Sequence, residues 1–277
     1  MLPFAVPREI ADDEFRYLTA LLHEHTGIRL AAGKEALVAG RLDKRIRQLG
    51  LLDYGEYVGL LRSSHDEVEL HQLINLLTTN ETYFFREEQH FEYLERVIAP
   101  AWRQNRPFRL WSAASSTGEE AYTAAMVLAE ALPAAGWQIV GSDISTRVVD
   151  AARRALYPIE AADRIPPPLL RKYCLRGCDE FEGLLTISRE LRARVEFHCL
   201  NLMEDFRRLG QFDVILLRNV MIYFDTDTKR GLIARLQEAL QPGGHLIIGS
   251  SETLNAIPSD LRMIQPSVYQ LGQTRRG

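Results

Sequence analysis

The residues best placed to do chemistry are a few carboxylates beside a run of small side chains. Ala113-Ala114-Ser115-Ser116-Thr117-Gly118 ends a short apolar run and leads into Glu119 and Glu120, which open a helical pattern. Small residues let a backbone approach a ligand closely, and a helix N-terminus offers free N–H groups. As a phosphate cradle the loop is poor: it has no G-x-G-x-x-G and no P-loop lysine, and its two carboxylates would repel a diphosphate. A ligand with a sulfonium and an amino group, and no phosphate, suits those carboxylates. Asp143 ends Gly141-Ser142-Asp143, 23 residues after Glu120, close to the spacing of about 20 at which dinucleotide folds place a ribose-binding acid. A carboxylate there can accept hydrogen bonds from both ribose hydroxyls, although an acid at a strand end also serves as an N-cap. Asn201-Leu202 follows RVEFHC, where an adenine pocket would lie, and Arg218-Asn219 ends DVILLRN, facing the reacting centre. Taken singly, Asn201 reads as a loop cap and Arg218 as a surface ion pair.

The elements needed to position these residues are legible in the pattern. After Trp102, short apolar runs alternate with helical segments: FRLWSAA, QIVGSD, RVEFHC, DVILLRN and HLIIGSS as strands, with EEAYTAAMVLAEAL, TRVVDAARRAL and TKRGLIARLQEAL as helices. That alternation predicts a parallel α/β sheet wrapped by helices. MIQPSVYQL should close the sheet as a final antiparallel strand. Between Ile165 and Val195, three prolines and glycine-punctuated LRGCDEFEGLLTISREL predict a small antiparallel insertion, about 169–195. Upstream, the pattern is helical from Glu9 to about Leu77, with Gly27 and Gly50 as stops and a fourth helix expected from near Asp66.

Composition removes several classes. A chain of 277 residues with 46% hydrophobic and 25% charged residues suits a globular protein with an ordinary core. Its net charge of −4 gives no global attraction to nucleic acid. The start lacks a signal-peptide pattern, and no apolar run approaches the roughly 18 residues of a membrane helix. Three cysteines, Cys174, Cys178 and Cys199, suit neither a disulfide framework nor a metal site. A cytoplasmic protein without metal, membrane insertion or nucleic-acid partner is expected.

TTNETYFFRE (78–87), WSAASSTGEE (111–120), GSDIS (141–145) and LLRNVMIYFD (216–225) together resemble the CheR-type chemotaxis protein-glutamate O-methyltransferases. The resemblance runs from the N-terminal helices to the last strand. It implies an all-helical receptor-recognition domain (1–85) and a class I, Rossmann-like methyltransferase domain (86–277) carrying the inserted β-subdomain. It further implies methyl transfer from S-adenosylmethionine, with S-adenosylhomocysteine as product, to glutamates in the cytoplasmic domain of methyl-accepting chemotaxis receptors. Carried over position by position, Asn80, Thr82 and Arg86 would contact the cofactor from the first motif, and Glu120 and Asp143 from the next two. Asn201, Leu202, Arg218 and Asn219 would complete that set, and Arg86 and Tyr223 would lie near the reacting centre as catalytic residues. The insert keeps Arg176-Gly177 and Gly183, but Leu185-Thr186-Ile187-Ser188 stands where members that dock a receptor-tail pentapeptide carry arginines, which argues against tail docking. Other readings are a class I methyltransferase with another substrate, or a non-catalytic S-adenosylmethionine-binding signalling protein.

The second helix adds a reading of its own. From Lys34 to Leu49 there are five basic residues against Glu35 and Asp43. Lys34, Arg41, Lys44 and Arg45 form a stripe beside the apolar one, expected to face solvent and bind an acidic receptor segment.

Overall fold

The computed structural model describes residues 9–63, 67–103, 105–133 and 136–273, and divides the chain into two units at Thr79 and Asn80. The ends of the expected domains (1–8 and 274–277) and Asp66, where the fourth helix was expected to begin, lie outside the described residues.

The first unit is helical: α1 (Asp12–Thr26), α2 (Glu35–Gln48), α3 (Tyr54–Ser63) and α4 (Glu67–Leu77). Its core follows helical periodicity, with Phe15, Leu18 and Leu22 of α1 buried with Val38, Leu42 and Ile46 of α2 and Leu73, Ile74 and Leu77 of α4. Gly27, at φ 72°, stops α1 by donating its N–H to the carbonyl of His23 at 2.8 Å. Tyr223–Asp225 also belong to this unit. Phe224 forms an antiparallel bridge with Ile28, Arg29 N–H donates to Tyr223 O at 2.8 Å, and His23 meets Asp225 at 3.1 Å.

The basic stripe on α2 is not uniformly solvated. Lys34 and Lys44 are exposed. Arg45 instead grips both oxygens of Glu69 on α4, at 3.1 and 2.5 Å, and that buried carboxylate also accepts the Tyr57 hydroxyl at 2.7 Å. Arg41 donates to the Leu77 carbonyl at 2.6 Å and to the Thr79 hydroxyl at 2.9 Å. Both arginines therefore tie α2 to α4, Arg45 at its first turn and Arg41 at its end, which corrects the expectation that they face solvent. Arg45→Ala leaves Glu69 buried without its cation and should cost about 1–3 kcal/mol. This is below the full penalty for a wholly buried pair because Arg45 is partly exposed. Urea unfolding should show that loss and no comparable change for Lys44→Ala.

In the second unit, α5 (Glu88–Tyr93) runs through a π turn, Leu94–Ile98, into α6 (Ala99–Ala101). Then come β1 (Phe108–Ser112), α7 (Glu119–Ala131), β2 (Trp137–Asp143) and α8 (Thr146–Arg154). The insertion contains β3 (Leu156–Pro158), α9 (Pro167–Tyr173), β4 (Cys174–Arg176), β5 (Leu184–Ile187) and α10 (Arg189–Arg192). The chain returns through β6 (Val195–Cys199), β7 (Phe212–Leu217), α11 (Thr226–Glu238), β8 (Leu240–Ile248), β9 (Leu261–Gln265) and β10 (Val268–Leu271). The main sheet has the order β6-β2-β1-β7-β8-β10-β9, parallel except at β10, which pairs antiparallel with both neighbours. Every residue of β7 is buried, as expected of a strand covered on both faces. All of α7 from Ala121 to Leu128 is buried too.

Two details differ from the sequence pattern. MIQPSVYQL is a hairpin rather than one strand: it turns at Pro266-Ser267, with Ser267 at φ 66°. The inserted sheet, ordered β3-β5-β4, recruits Leu156–Pro158 from before the three prolines. A three-residue strand has too little alternation to be visible in sequence.

Candidate active site

The order of chain departure reverses between β1 and β7, and in open α/β sheets a ligand binds beyond the carboxyl ends of the strands at such a point. Gly118 closes the loop after β1 at φ 96°, and a Cβ there would sit 2.9 Å from that of Ala152. Only glycine lets this loop lie so close to α8. Across the loop, Ser115 N–H donates to Ser142 O at 2.8 Å. Asp143, at the end of β2, accepts Ser116 N–H at 2.9 Å on one oxygen and Ser145 N–H at 3.0 Å on the other. The carboxylate thus braces both turns, and each oxygen retains acceptor capacity for a ligand hydroxyl. Burial pushes its pKa up, opposed by the backbone N–H groups.

Arg218, just past β7, has a side chain only 1% exposed and connects the acids of the site. It donates to Glu120 at 2.9 Å, contacts Glu87 at 3.2 Å and donates to the Arg86 carbonyl. The ion pair that Arg218 suggests when taken singly is therefore buried rather than at the surface. Glu120 also takes the Ser112 hydroxyl at 2.6 Å; burial raises its pKa against the pull of Arg218. For Glu87 burial also acts upward, but Arg218, the Asn219 amide and the Ser250 N–H outweigh it and hold the carboxyl below its usual range.

The 80–87 segment is fastened to the same loop. Ser116 donates its hydroxyl to Asn80 O at 2.9 Å, Phe85 N–H donates to Thr123 at 3.2 Å, and Thr82 is half-buried between them in sequence. Arg86 donates to Glu81 O at 2.7 Å. Its neighbours Phe85 and Glu87 have φ of 58° and 56°, a left-handed conformation that costs non-glycine residues roughly 1–2 kcal/mol each. Ser116 (φ 48°) and Asn219 (φ 58°) share it. These four strained residues thus fall on the segments that carry Arg86, Asp143's partner loop and Arg218, and strained backbone clusters at many functional sites.

Among the remaining expected residues, Asn201 caps its own loop by accepting Met203 N–H at 3.0 Å, and the backbone carbonyl of buried Leu202 takes Arg235 at 2.8 Å. Asn219 donates its amide to Glu87 at 3.3 Å. Tyr223 and the α2 residues Lys34, Arg41, Lys44 and Arg45 belong to the helical unit.

Sequence reasoning missed Glu87, Glu252 and His90. Glu252 accepts backbone N–H groups of Asn219 at 3.0 Å, Gly249 at 2.7 Å and Ile222 at 3.2 Å, so it shapes the loop carrying Arg218-Asn219. Its place just after β8, on the same edge as Asp143, was the available signal. His90, 2% exposed, lies 3.3 Å from Glu87 without a well-formed hydrogen bond. Burial, reinforced by Arg218, lowers its pKa to about 4. The unfolded histidine, near 6.5, takes up a proton first, so its contribution is complete above about pH 6.5 and is lost as pH falls toward 4. Unfolding free energy should decline by up to about 3 kcal/mol across that window. The decline should be shallower in His90→Gln when both are followed by urea titration.

This donor set fits S-adenosylmethionine. The carboxylates suit hydroxyl, amino and sulfonium groups, no lysine waits for a phosphate, and Arg218 Nε is buried without a partner among the described residues. A cofactor carboxylate is the kind of acceptor that Nε lacks. Among the described residues there is no cluster of three or more His, Cys, Asp or Glu able to hold a metal, and no helix long and apolar enough to cross a membrane.

Sheet order and donor set fit a class I S-adenosylmethionine-dependent methyltransferase. Residues 80–270 match the family model described as "CheR methyltransferase, SAM binding domain", and residues 13–78 match "CheR methyltransferase, all-alpha domain". The chain belongs to the CheR methyltransferase family. It is 39% identical to the chemotaxis protein methyltransferase of Salmonella typhimurium over 96% of this chain and 92% of that protein. Against the chemotaxis protein methyltransferase of Escherichia coli it is 40% identical, over 95% and 92% respectively. Chemotaxis protein methyltransferase 2 of Pseudomonas aeruginosa gives 40% identity over 93% and 92%.

Proposed function

We propose that this chain is a protein-glutamate O-methyltransferase that esterifies glutamate side chains in the cytoplasmic domain of chemotaxis receptors. The observation that supports the reading is the clamping of Arg86 beside the Arg218–Glu120 pair. Its backbone is fixed between two left-handed residues, and its carbonyl is held by the arginine that also pairs with Glu120. A guanidinium fixed at the edge of a methyl-donor pocket suits an anionic acceptor.

Bound S-adenosylmethionine supplies an electrophilic methyl group. A glutamate carboxylate, whose pKa in water is about 4.3, is already ionised at neutral pH, so its attack requires no general base. The protein's task is alignment and electrostatics. Asp143 would hold the ribose hydroxyls, and Glu120, through Arg218, the amino-acid end of the cofactor, with Asn80, Thr82 and Asn219 lining the same pocket. Asn201 and Leu202 would border the adenine. Arg86 would orient the acceptor carboxylate; Tyr223 is assigned to the same step on the resemblance of its MIYFD segment. On the helical domain, exposed Lys34 and Lys44 are the cations of the α2 stripe open to an acidic receptor surface, with Arg41 and Arg45 contributing what their internal bonds leave available.

Cofactor labelled in its methyl group, offered separately with receptor cytoplasmic fragments, nucleic acid and small-molecule amines, tests this. Label should enter the receptor fragments alone. Transfer to another acceptor, or cofactor binding with no transfer, would replace the proposal with a different substrate or a binding-only role.

A further inference from the structure

Tyr83 lies 38% exposed in the TYFFRE segment, with two cations against its ring. The Arg86 guanidinium carbon is 5.8 Å from the ring centroid, and that of Arg164 is 5.0 Å away. Both fall within the roughly 6 Å at which an aromatic face attracts a cation. Arg86 spends one nitrogen on the Glu81 carbonyl. Arg164 ends the short 3-10 turn Ile159–Arg164 and is exposed. Among the described residues its side chain makes no ion pair, neither with Glu160 nor with Asp163 beside it, and the tyrosine ring is the one partner that its charge meets.

The arrangement has a specific chemical consequence. A guanidinium held by a ring through its charge spends none of its N–H groups on a conventional acceptor, so they remain available to a carboxylate. Two like charges against one ring repel each other mildly unless an anion joins them. Arg86 already has its part in the glutamate reading above, on which this inference rests. Arg164 shares the Tyr83 ring with it and pairs with no carboxylate among the described residues. We propose that Arg164, seated on Tyr83, is a specificity-determining contact that binds a second carboxylate of the acceptor segment while Arg86 faces the one to be methylated. The enzyme would then prefer acceptor glutamates that have another acid nearby, and its capture of them would weaken with salt.

Steady-state methylation separates this from a structural role. The acceptors are a receptor cytoplasmic fragment and a version whose other acids near the methylated glutamate are changed to glutamine. On the unmodified fragment, Arg164→Ala should raise KM roughly fivefold, the upper end for one solvent-exposed ion pair, with kcat and cofactor affinity unchanged. Arg164→Lys, which keeps the charge but loses the fork, should fall between the two. On the glutamine version, wild type and Arg164→Ala should share one KM. Equal KM on the unmodified fragment would overturn the proposal, as would an identical loss on both fragments. If the wild type forms no base-labile ester at all, the glutamate reading fails and the inference falls with it. Ester formation with unaltered Arg164 variants overturns the inference alone.

Discussion

Arg218→Met should lower the unfolding free energy by about 3–5 kcal/mol in urea titrations at neutral pH. The side chain it replaces is the cation shared by Glu87 and Glu120, and Glu120 is buried as well. Methionine fills much of the volume but leaves two acids without their counter-charge in a poorly hydrated site. It also releases the Arg86 carbonyl and with it the left-handed turn at Phe85–Glu87. The penalty should shrink on acidification, because protonating the stranded carboxyls removes the uncompensated charge. A loss below about 1 kcal/mol would mean that the Glu87–Arg218–Glu120 chain does not hold the site together.

Asp143→Ala should nearly abolish cofactor binding. Two charge-assisted hydrogen bonds to ribose hydroxyls, at about 1.5–3 kcal/mol each, correspond to a loss of at least a hundredfold in affinity by titration calorimetry. Asp143 also braces the turns at Ser116 and Ser145, so Ala could act by loosening the loop. Asp143→Asn is the control: it keeps the side-chain shape and one carbonyl acceptor, sets its NH2 against one of the two backbone N–H groups, and should give an intermediate affinity with a smaller loss of melting temperature than Asp143→Ala. Unchanged affinity in both variants would remove Asp143 from the cofactor site.

Much of this architecture was legible because it depends on local order. Strand-helix alternation, the small-residue loop before Glu119 and the acid closing β2 are properties of contiguous residues, and each appears in the sheet where expected. The polar network was not legible. Arg218 meets Glu87 across 131 positions and Arg45 meets Glu69 across 24, and no periodicity marks such pairs. A basic stripe on a helix looks the same whether water or a buried acid faces it. The sequence of α4 carried the missing hint, since Glu69 sits in an otherwise apolar stripe that ends in Leu73, Ile74 and Leu77. Short elements escaped for another reason: β3 and the β9–β10 turn are set by pairing with distant strands, which overrides three or four residues of local pattern.

On the proposed function the methyl group ends on a glutamate oxygen. Receptor cytoplasmic fragment treated with enzyme and labelled S-adenosylmethionine should be mapped by mass spectrometry before and after mild base. Modification should fall on glutamate side chains, be released by base as volatile methanol, and be absent when those glutamates are changed to alanine. Base-stable label, or label on lysine, arginine or a backbone nitrogen, would contradict it.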